Sequence, residues 1–396
     1  MTKKQSMRDV QYFGEEGGVV PVIDHAATST FLNPKDMQKV FEGEIKGCYL
    51  YSRHSNPTVN AFSKKIAAME GSEAAFGLSS GMAAITCSIL QVMLEGGHMI
   101  SSNTIYGGTW AFLKNILPKW GVEITFVDPS DLSAFKNAIR PNTKLIYTES
   151  MSNPLLAVSD ISGLAKLSKK HDLKLMVDNT FTPLMISPID LGADIVVYSC
   201  TKYISGASDL IAGAICSSAE FIEQLIDVNN GMAMLLGPVM DARIAYELYS
   251  RLDTLPIRMK AHSTAAEILV NAMIKADISG IIYPGLTDYP QYELLNNIKN
   301  DKYGHGGMIT LDCGDLAKAT QLARKLQAEK FGLFAVSLGF SRTLLSCPTA
   351  STSSEIPEDE QKSIGLKPGL LRMSIGFAGD DNLLAKKFID CYKSVF

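Results

Sequence analysis

The residues of this chain best suited to do chemistry follow two apolar segments. Residues 174–177 are apolar and lead into Asp178, and residues 194–199 lead into Thr201 and Lys202. Near-continuous Val, Ile and Leu runs of this length predict buried strands of a parallel sheet. Because ligands bind beyond the carboxyl ends of such strands, we expect the acid and the lysine at one edge of the sheet.

An acid and a lysine at one sheet edge suit pyridoxal phosphate. This cofactor needs a lysine for its Schiff base and an acid opposite its pyridine nitrogen, and Lys202 and Asp178 are the candidates. Ser199 and Thr201, two residues apart at the strand end, are spaced to hydrogen-bond its phosphate. From these two segments alone, a surface lysine and a turn aspartate explain the pattern equally well.

Composition and charge narrow the class of protein. The 396 residues are 46% hydrophobic and 20% charged with a net charge of −4, which is typical of a soluble globular enzyme. The length predicts two domains or one large domain with an appendage. The sequence has no basic run, so we expect no nucleic-acid partner. It has neither an apolar run long enough to cross a membrane nor a signal-like N-terminus, so we expect a cytoplasmic protein. Seven scattered cysteines predict reduced thiols, and six histidines without ligand spacing predict no metal.

The N-terminal region, residues 1–60, is predicted to be an arm that lies on a neighbouring subunit. Its polar, turn-rich segments have little helical period and seldom fold alone. Tyr51 and Arg53 stand out within it. They are either a solvated pair or part of an anion site completed across a subunit interface.

Residues 61–254 are predicted to form a large α/β domain. Apolar segments alternate with helical ones, which predicts a mostly parallel seven-stranded sheet with helices on both faces. The predicted strands are residues 75–78, 98–102, 123–127, 145–148, 174–177, 194–199 and 212–216. The first strand leads through Gly81 and Met82 into a helix, a pattern that favours an anion site at the helix start but also opens many ordinary helices.

Residues 255–396 are predicted to form a smaller α+β domain. Its strands are expected at residues 280–283, 306–311, 333–336 and 371–375, with a helix at 316–327 and a final helix after the last strand. A long helical region, residues 238–274, is expected to bridge the domains and to break near Pro256.

Three further residues are candidates for ligand contacts. Tyr106 follows a strand, where it either stacks on a cofactor ring and moves protons or simply packs in a glycine turn. Asn153, before a proline, is either a turn residue or a ligand for cofactor and substrate. Arg372 lies in an apolar strand, where burial is costly unless an anion pairs with it. A substrate carboxylate and an internal salt bridge explain it equally well.

The order of these motifs resembles one family. SSGM, YGGT, ESMSNP, VDNTF, SCTKY, SLG and LRMSIGF occur in sequence between Tyr51 and Arg372. Together they are similar to the γ-subfamily of pyridoxal-phosphate enzymes of cysteine and methionine metabolism. This resemblance implies the aspartate-aminotransferase-like fold (fold type I) and a homotetramer built from two active dimers.

The resemblance also implies site residues. The cofactor residues it implies, with Tyr51 and Arg53 lent by the neighbouring subunit, are Tyr51, Arg53, Gly81, Met82, Tyr106, Asp178, Ser199, Thr201 and Lys202. Lys202 and Tyr106 are implied as the catalytic pair. The substrate-carboxylate residues it implies are Asn153, Ser337 and Arg372.

Within the family, the C-terminal half is most similar to plant-type methionine γ-lyases and their microbial relatives. This predicts elimination of methionine to methanethiol, 2-oxobutyrate and ammonia. O-acetylhomoserine sulfhydrylase and cystathionine γ-lyase are the alternatives, and an aminotransferase is a more distant one. Gly108 stands where bacterial methionine γ-lyases often have cysteine, and Arg342 where many lyases have glutamate. If Arg342 faces the pocket, it should repel the distal ammonium of cystathionine. A cation at this position is also compatible with sulfhydrylases that use O-acylhomoserine.

Overall fold

The computed structural model describes most of the chain. The described residues are 6–7, 18–41, 44–45, 47–351, 353–354 and 356–396. Much of the start of the predicted arm, including residues 8–17, therefore lies outside the described residues.

Strands and helices alternate along most of the described chain. The strands are β1 Ala74–Leu78, β2 Gly97–Ser102, β3 Val122–Val127, β4 Thr143–Glu149, β5 Lys174–Asp178, β6 Ile195–Ser199, β7 Gly213–Ser217, β8 Ile281–Ile282, β9 Met308–Asp312, β10 Leu333–Phe334, β11 Leu344–Ser346 and β12 Leu370–Ser374. The helices are α1 Pro34–Phe41, α2 Pro57–Glu70, α3 Gly81–Val92, α4 Gly107–Ala111, α5 Leu132–Ala138, α6 Ile161–Lys170, α7 Ala219–Leu225, α8 Met232–Leu236, α9 Ala242–Leu252, α10 Leu255–Lys275, α11 Tyr292–Ile298, α12 Leu316–Ala328, α13 Glu358–Ser363 and α14 Asp381–Lys393.

The larger sheet has seven strands in the order β1-β7-β6-β5-β4-β2-β3. The five strands from β6 to β3 in this order pair in parallel, and β7 pairs antiparallel with both β1 and β6. The prediction of a mostly parallel seven-stranded sheet is therefore confirmed. Parallel neighbours place their carboxyl ends at the same edge, so β4, β5 and β6 end side by side.

Both faces of this sheet are buried, which is why its strands have apolar runs rather than alternating patterns. In β5, Leu175 and Val177 face one hydrophobic cluster, whereas Met176 faces the other. Residues of α2, α6 and α9 belong to the first cluster, and residues of α3 and α7 to the second. The strands are thus held in place by helices on both sides.

The smaller sheet has five strands in the order β10-β11-β12-β9-β8. Its pairs are antiparallel except for β10 with β11. Residues of α10, α12 and α14 form its core together with the sheet. The α+β character predicted for the C-terminal region is confirmed, but the short strand β11 was not predicted, because three residues are too few to show a pattern.

The predicted helix break near Pro256 is confirmed. The first helix of the pair, α9, ends at Leu252, and α10 begins at Leu255 with the proline in its first turn. A proline is tolerated there because the first amides of a helix have no partner within the helix.

The described part of the N-terminal region has no helix and is mostly exposed between residues 18 and 33. Thr58 at the start of α2 connects to it, since its Oγ1 donates to the oxygen of Val22 at 2.8 Å and accepts from the amide of Asp24 at 2.9 Å. Val19 and Leu32 are almost fully exposed. The helix α1 follows. The boundaries of arm and domains stay predictions.

None of the helices in the described ranges is long and apolar enough to cross a lipid bilayer.

Candidate active site

A cavity of about 380 Å³ opens beyond the carboxyl ends of β4, β5 and β6. Most of the candidate residues line it together. The predicted residues in its wall are Gly81, Met82, Tyr106, Asn153, Asp178, Ser199, Thr201, Lys202, Ser337 and Arg372. They come from both sheets and from the segments that follow the strands.

The start of α3 forms one end of the cavity. Ser80 caps this helix, since its Oγ accepts from the amide of Ala83 at 3.0 Å. The first amides of a helix have no partner within the helix, so those of Gly81 and Met82 are suited to bind an anion. A Cβ on Gly81 would lie 2.6 Å from the Cβ of Ser199. Glycine therefore lets the helix start approach the end of β6.

The Thr201 hydroxyl beside this helix start is oriented by the backbone. It donates to the oxygen of Ala212 at 3.2 Å and accepts from the amide of the same residue at 3.1 Å. Ser199 is held in a similar way, because its amide donates to Thr180 Oγ1 at 2.8 Å. The two hydroxyl-bearing residues are thus fixed next to the helix start.

Lys202 is largely buried, and its Nζ donates to Ser337 Oγ at 3.1 Å. Burial, and then the charge of Arg372, lowers the pKa of Lys202 to about 8. Arg258 of α10 holds the segment that follows the lysine, since its guanidinium donates to the backbone oxygens of Tyr203 and Ile204. The Lys202 amine therefore loses its proton easily, and the backbone that follows the lysine is held in place.

Asp178 ends β5 and is buried in the cavity wall. Its Oδ1 accepts from the amide of Thr180 at 2.9 Å. Burial raises the pKa of Asp178 to about 6, although the hydrogen bonds from Thr180 oppose this shift. A partner that carries a positive charge would be the natural counterpart for this carboxylate.

Arg372 is buried in the middle of β12. Its Nη1 donates to Asn153 Oδ1 at 2.9 Å and its Nη2 to the oxygen of Ser337 at 3.2 Å. Its Nε is buried without a hydrogen-bond partner in the described part of the chain. None of the ion pairs among the described residues includes Arg372. This geometry favours an external anion over the internal salt bridge.

Tyr106 borders the cavity mouth with 41% of its surface exposed. A Cβ on Gly108 would lie 2.6 Å from Cε1 of the Tyr106 ring. Any larger residue at position 108 would therefore displace the ring. Gly108 therefore leaves room for the Tyr106 ring in its present position.

Three residues singled out in the sequence do not line this cavity. The Arg53 guanidinium carbon lies over the Tyr51 ring, 5.4 Å from its centroid. Arg53 Nη1 donates to the backbone oxygen of Met234 at 3.0 Å. Arg53 lines a separate cavity. Arg342 is exposed and is not part of the main cavity wall, so the condition for its repelling cystathionine is not met within this chain.

Two residues near the site were missed by sequence reasoning. Glu149 ends β4 as Asp178 ends β5, and the two are register partners in the sheet. The signal for it was available, because an acid directly after a buried apolar strand is the pattern that pointed to Asp178. Arg258 lies in a helix with ordinary composition, and nothing local indicated its contact with the segment after Lys202.

The donor set fits pyridoxal phosphate. The cavity joins a lysine with a lowered pKa, a buried carboxylate and a helix start suited to an anion. The unpartnered Nε of Arg372 adds a second place for an anionic group, such as a carboxylate.

Comparison with known proteins agrees with this chemistry. The family model for Cys/Met metabolism PLP-dependent enzymes matches residues 7–386. A methionine gamma-lyase of Arabidopsis thaliana is 43% identical over 373 residues, covering 93% of this chain and 84% of that protein. An L-methionine gamma-lyase of Pseudomonas putida is 36% identical over 374 residues, covering 93% of this chain and 91% of that protein.

A solved structure extends the similarity to the whole fold. A putative O-acetylhomoserine (thiol)-lyase of Campylobacter jejuni has a TM-score of 0.90 at 27% identity, covering 97% of both chains. That protein contains N'-pyridoxyl-lysine-5'-monophosphate. The fold of this protein is accordingly fold type I, and the chain belongs to the pyridoxal-phosphate-dependent enzymes of cysteine and methionine metabolism.

Proposed function

We propose that the protein is a methionine γ-lyase, which converts methionine and water into methanethiol, 2-oxobutyrate and ammonia. The charge distribution of the cavity carries this proposal. Its charged lining residues are Glu149, Asp178, Lys202 and Arg372. The remaining wall is neutral and includes Met151, Phe181, Ile211, Val336 and Leu338.

This wall suits an uncharged thioether side chain. Cystathionine carries a second ammonium and a second carboxylate, and burying unpaired charges against neutral side chains is costly. The names of the Arabidopsis and Pseudomonas relatives support the same substrate. Methionine is therefore favoured over cystathionine.

The substrate carboxylate is assigned to Arg372, with Asn153 and Ser337 as supporting residues. Asn153 Oδ1 and the Ser337 oxygen hold the guanidinium in place, so its planar fork is oriented before substrate binds. An anion would also offset the cost of burying this charge. The substrate is thereby oriented with its α-carbon towards Lys202.

Proton transfers are assigned to Lys202 and Tyr106. Once the substrate amine has freed Lys202, its amine, which burial keeps easy to deprotonate, would take the proton from the substrate α-carbon. It would pass that proton back to the bound substrate and, neutral again, would take a second proton from the β-carbon. The Tyr106 phenol donates a proton to the departing sulfur. Methanethiol then leaves, and water releases 2-oxobutyrate and ammonia.

The remaining residues are assigned to holding pyridoxal phosphate. Lys202 would bind its aldehyde carbon, Asp178 would keep its ring nitrogen protonated, and Tyr106 would stack on its ring. Its phosphate is assigned to Gly81, Met82, Ser199 and Thr201 at the start of α3. When bound, the cofactor supplies an electron sink for the carbanion formed at the substrate.

We further propose a homotetramer in which Tyr51 and Arg53 reach the phosphate site of a neighbouring subunit. Their position outside the cavity of their own chain and the exposed apolar residues of the N-terminal segment support this assignment.

A cytoplasmic location is also proposed. The seven free cysteines support it, because thiols stay reduced in that compartment.

A substrate panel tests the proposed function. Purified holoenzyme is given methionine, cystathionine or homocysteine, and volatile thiol and 2-oxobutyrate are measured, with Lys202→Ala as the inactive control. We expect equal amounts of methanethiol and 2-oxobutyrate from methionine and no turnover by the variant. A wild-type enzyme that leaves methionine unchanged would refute the proposal.

An O-acetylhomoserine sulfhydrylase is the second candidate. The name of the Campylobacter structure favours it, and O-acetylhomoserine also has an uncharged side chain that suits the neutral wall. Its signature would be sulfide-dependent formation of homocysteine from O-acetylhomoserine, with methionine left intact.

A further inference from the structure

Glu149 is a buried carboxylate in the cavity wall, and both of its oxygens accept backbone hydrogen bonds. Oε1 accepts from the amide of Tyr106 at 2.7 Å, and Oε2 accepts from the amide of Asn153 at 3.1 Å. Tyr106 lies on the segment that follows β2, and Asn153 lies on the segment that follows β4. One side chain therefore ties together two segments that carry proposed site residues.

The connection continues to the carboxylate-binding arginine. The backbone amide of Asn153 donates to Glu149, and the side-chain Oδ1 of Asn153 accepts from Arg372 Nη1 at 2.9 Å. Any movement of the Asn153 backbone would thus move the acceptor that orients the guanidinium. Glu149 is linked in this way to the proposed acid on one side and to the proposed substrate anchor on the other.

The position is a costly one for a carboxylate. Glu149 is 6% exposed, and its register partner is a second acid, Asp178. Burial, and then the charge of Asp178, raises the pKa of Glu149 well above its ordinary value. A carboxylate has two acceptor oxygens, whereas a glutamine has one, so two amides that point at one side chain require the acid.

We infer that Glu149 is a positioning residue that fixes the Tyr106 phenol relative to the Arg372 guanidinium, and so sets both proton delivery and substrate affinity. The inference rests on the roles proposed for Tyr106 and Arg372, but not on which sulfur amino acid is the substrate. It predicts that a change at Glu149 alters both kcat and KM, because the two segments are released together.

Glu149→Gln tests this in the full-length holoenzyme. The substitution keeps the shape but leaves one of the two amides without an acceptor. We expect kcat/KM to fall about 10- to 100-fold, with kcat lower and KM higher, while the absorption of bound cofactor is retained. Glu149→Asp keeps both carboxyl oxygens with a shorter reach and should give an intermediate loss.

Glu70→Gln is the matched control. Glu70 is also buried, accepts from the amide of Ile189 at 3.1 Å and from the Tyr198 hydroxyl, and lies outside the cavity wall. This variant should resemble wild type in kcat and KM, even if its thermal stability falls. The contrast separates loss of a buried acid in general from loss of positioning.

Each variant is assayed with methionine and with O-acetylhomoserine plus sulfide, and compared with wild type on whichever substrate wild type converts. Failure of the proposed function would appear in the wild-type enzyme, whereas failure of this inference would appear only in the ratio of variant to wild type. Wild-type kcat and KM in folded Glu149→Gln or Glu149→Asp would overturn the inference. Failure of both to fold, while Glu70→Gln folds, would assign Glu149 a purely structural role and also overturn it.

Discussion

The large sheet supplies its site residues from strand ends, whereas the small sheet supplies Arg372 from the middle of a strand. Glu149, Asp178 and Ser199 are the last residues of β4, β5 and β6. Arg372 instead pairs with Thr310 on one side and Ser346 on the other, inside the sheet. The two regions meet at the cavity, which neither sheet forms alone.

This difference separates two tasks of the site. At a strand end the ladder stops, so backbone amides of the following segment can orient a side chain of the site, as the Thr180 amide does for Asp178. A residue within a central strand has no such freedom, and Arg372 depends on Asn153 and Ser337 from elsewhere. The proposed assignments accordingly place cofactor binding at the large sheet and substrate binding at the small sheet.

Replacing Arg372 should have the largest effect, because it should weaken substrate binding without loss of the cofactor. Arg372→Leu is expected to lower kcat/KM about 100-fold, mainly by raising KM, because it removes a charge-assisted pair of hydrogen bonds to the substrate. Steady-state kinetics with the substrate of the wild-type enzyme measures this, and cofactor absorption should be retained.

Arg372→Lys is the graded control for that experiment. It keeps the charge but loses the planar fork, so its KM should lie between those of Arg372→Leu and wild type. Loss of bound cofactor in Arg372→Leu would contradict the assignment of the small sheet to substrate alone.

A side chain at position 108 should disturb the large-sheet side of the site. In Gly108→Ala, the added Cβ would lie 2.6 Å from Tyr106 Cε1 and push the ring away. We expect kcat to fall about 10-fold, because a small misplacement of a catalytic group is costly. Stopped-flow or steady-state assays of thiol release measure the change in kcat.

The double variant with Tyr106→Phe sharpens this test. Without the phenol, the position of the ring matters less for proton delivery, so Gly108→Ala should add little to the loss caused by Tyr106→Phe alone. Independent, additive losses would show that Gly108 acts through another contact.

The smallest expected effect is on the titration of Lys202, where the two sheets interact by charge. Only a neutral amine attacks an aldehyde, so capture of pyridoxal phosphate by apoprotein should rise with pH and level off above about pH 8. Arg372→Leu removes a nearby positive charge and should move this midpoint to slightly higher pH. Absorbance after rapid mixing measures the rates, and a wild-type midpoint near 10.5, the ordinary lysine value, would contradict the effect of burial.

Much of the large sheet could be predicted because burial on both faces leaves a local signature. The run at Leu175, Met176 and Val177 is apolar at every position, since successive residues face opposite clusters. Asp178 and Lys202 could be predicted for a related reason, because polar residues directly after such runs lie where ligands bind. Glu149 had the same signal and was missed beside the more unusual Asn153-Pro154 pair.

The contacts of the site had no such signature. Tyr106 and Glu149 are 43 residues apart, and Arg372 and Asn153 are 219 residues apart. The role of Arg342 likewise depended on whether it faces the pocket, and only the structure shows that it is exposed and outside the cavity wall. Side-chain type alone does not tell whether a residue faces the cavity.

The sequence by itself determined the central strands and the polar residues that follow them, because both depend on local apolar patterns. The resemblance of its ordered motifs to a known family supplied the fold type and the cofactor. Only the tertiary structure decided that Lys202 contacts Ser337, 135 residues away, and that Glu149 joins the segments of Tyr106 and Asn153. Such contacts form when two sheets and their loops pack together. They depend on distances in space that neighbouring residues in the chain do not encode.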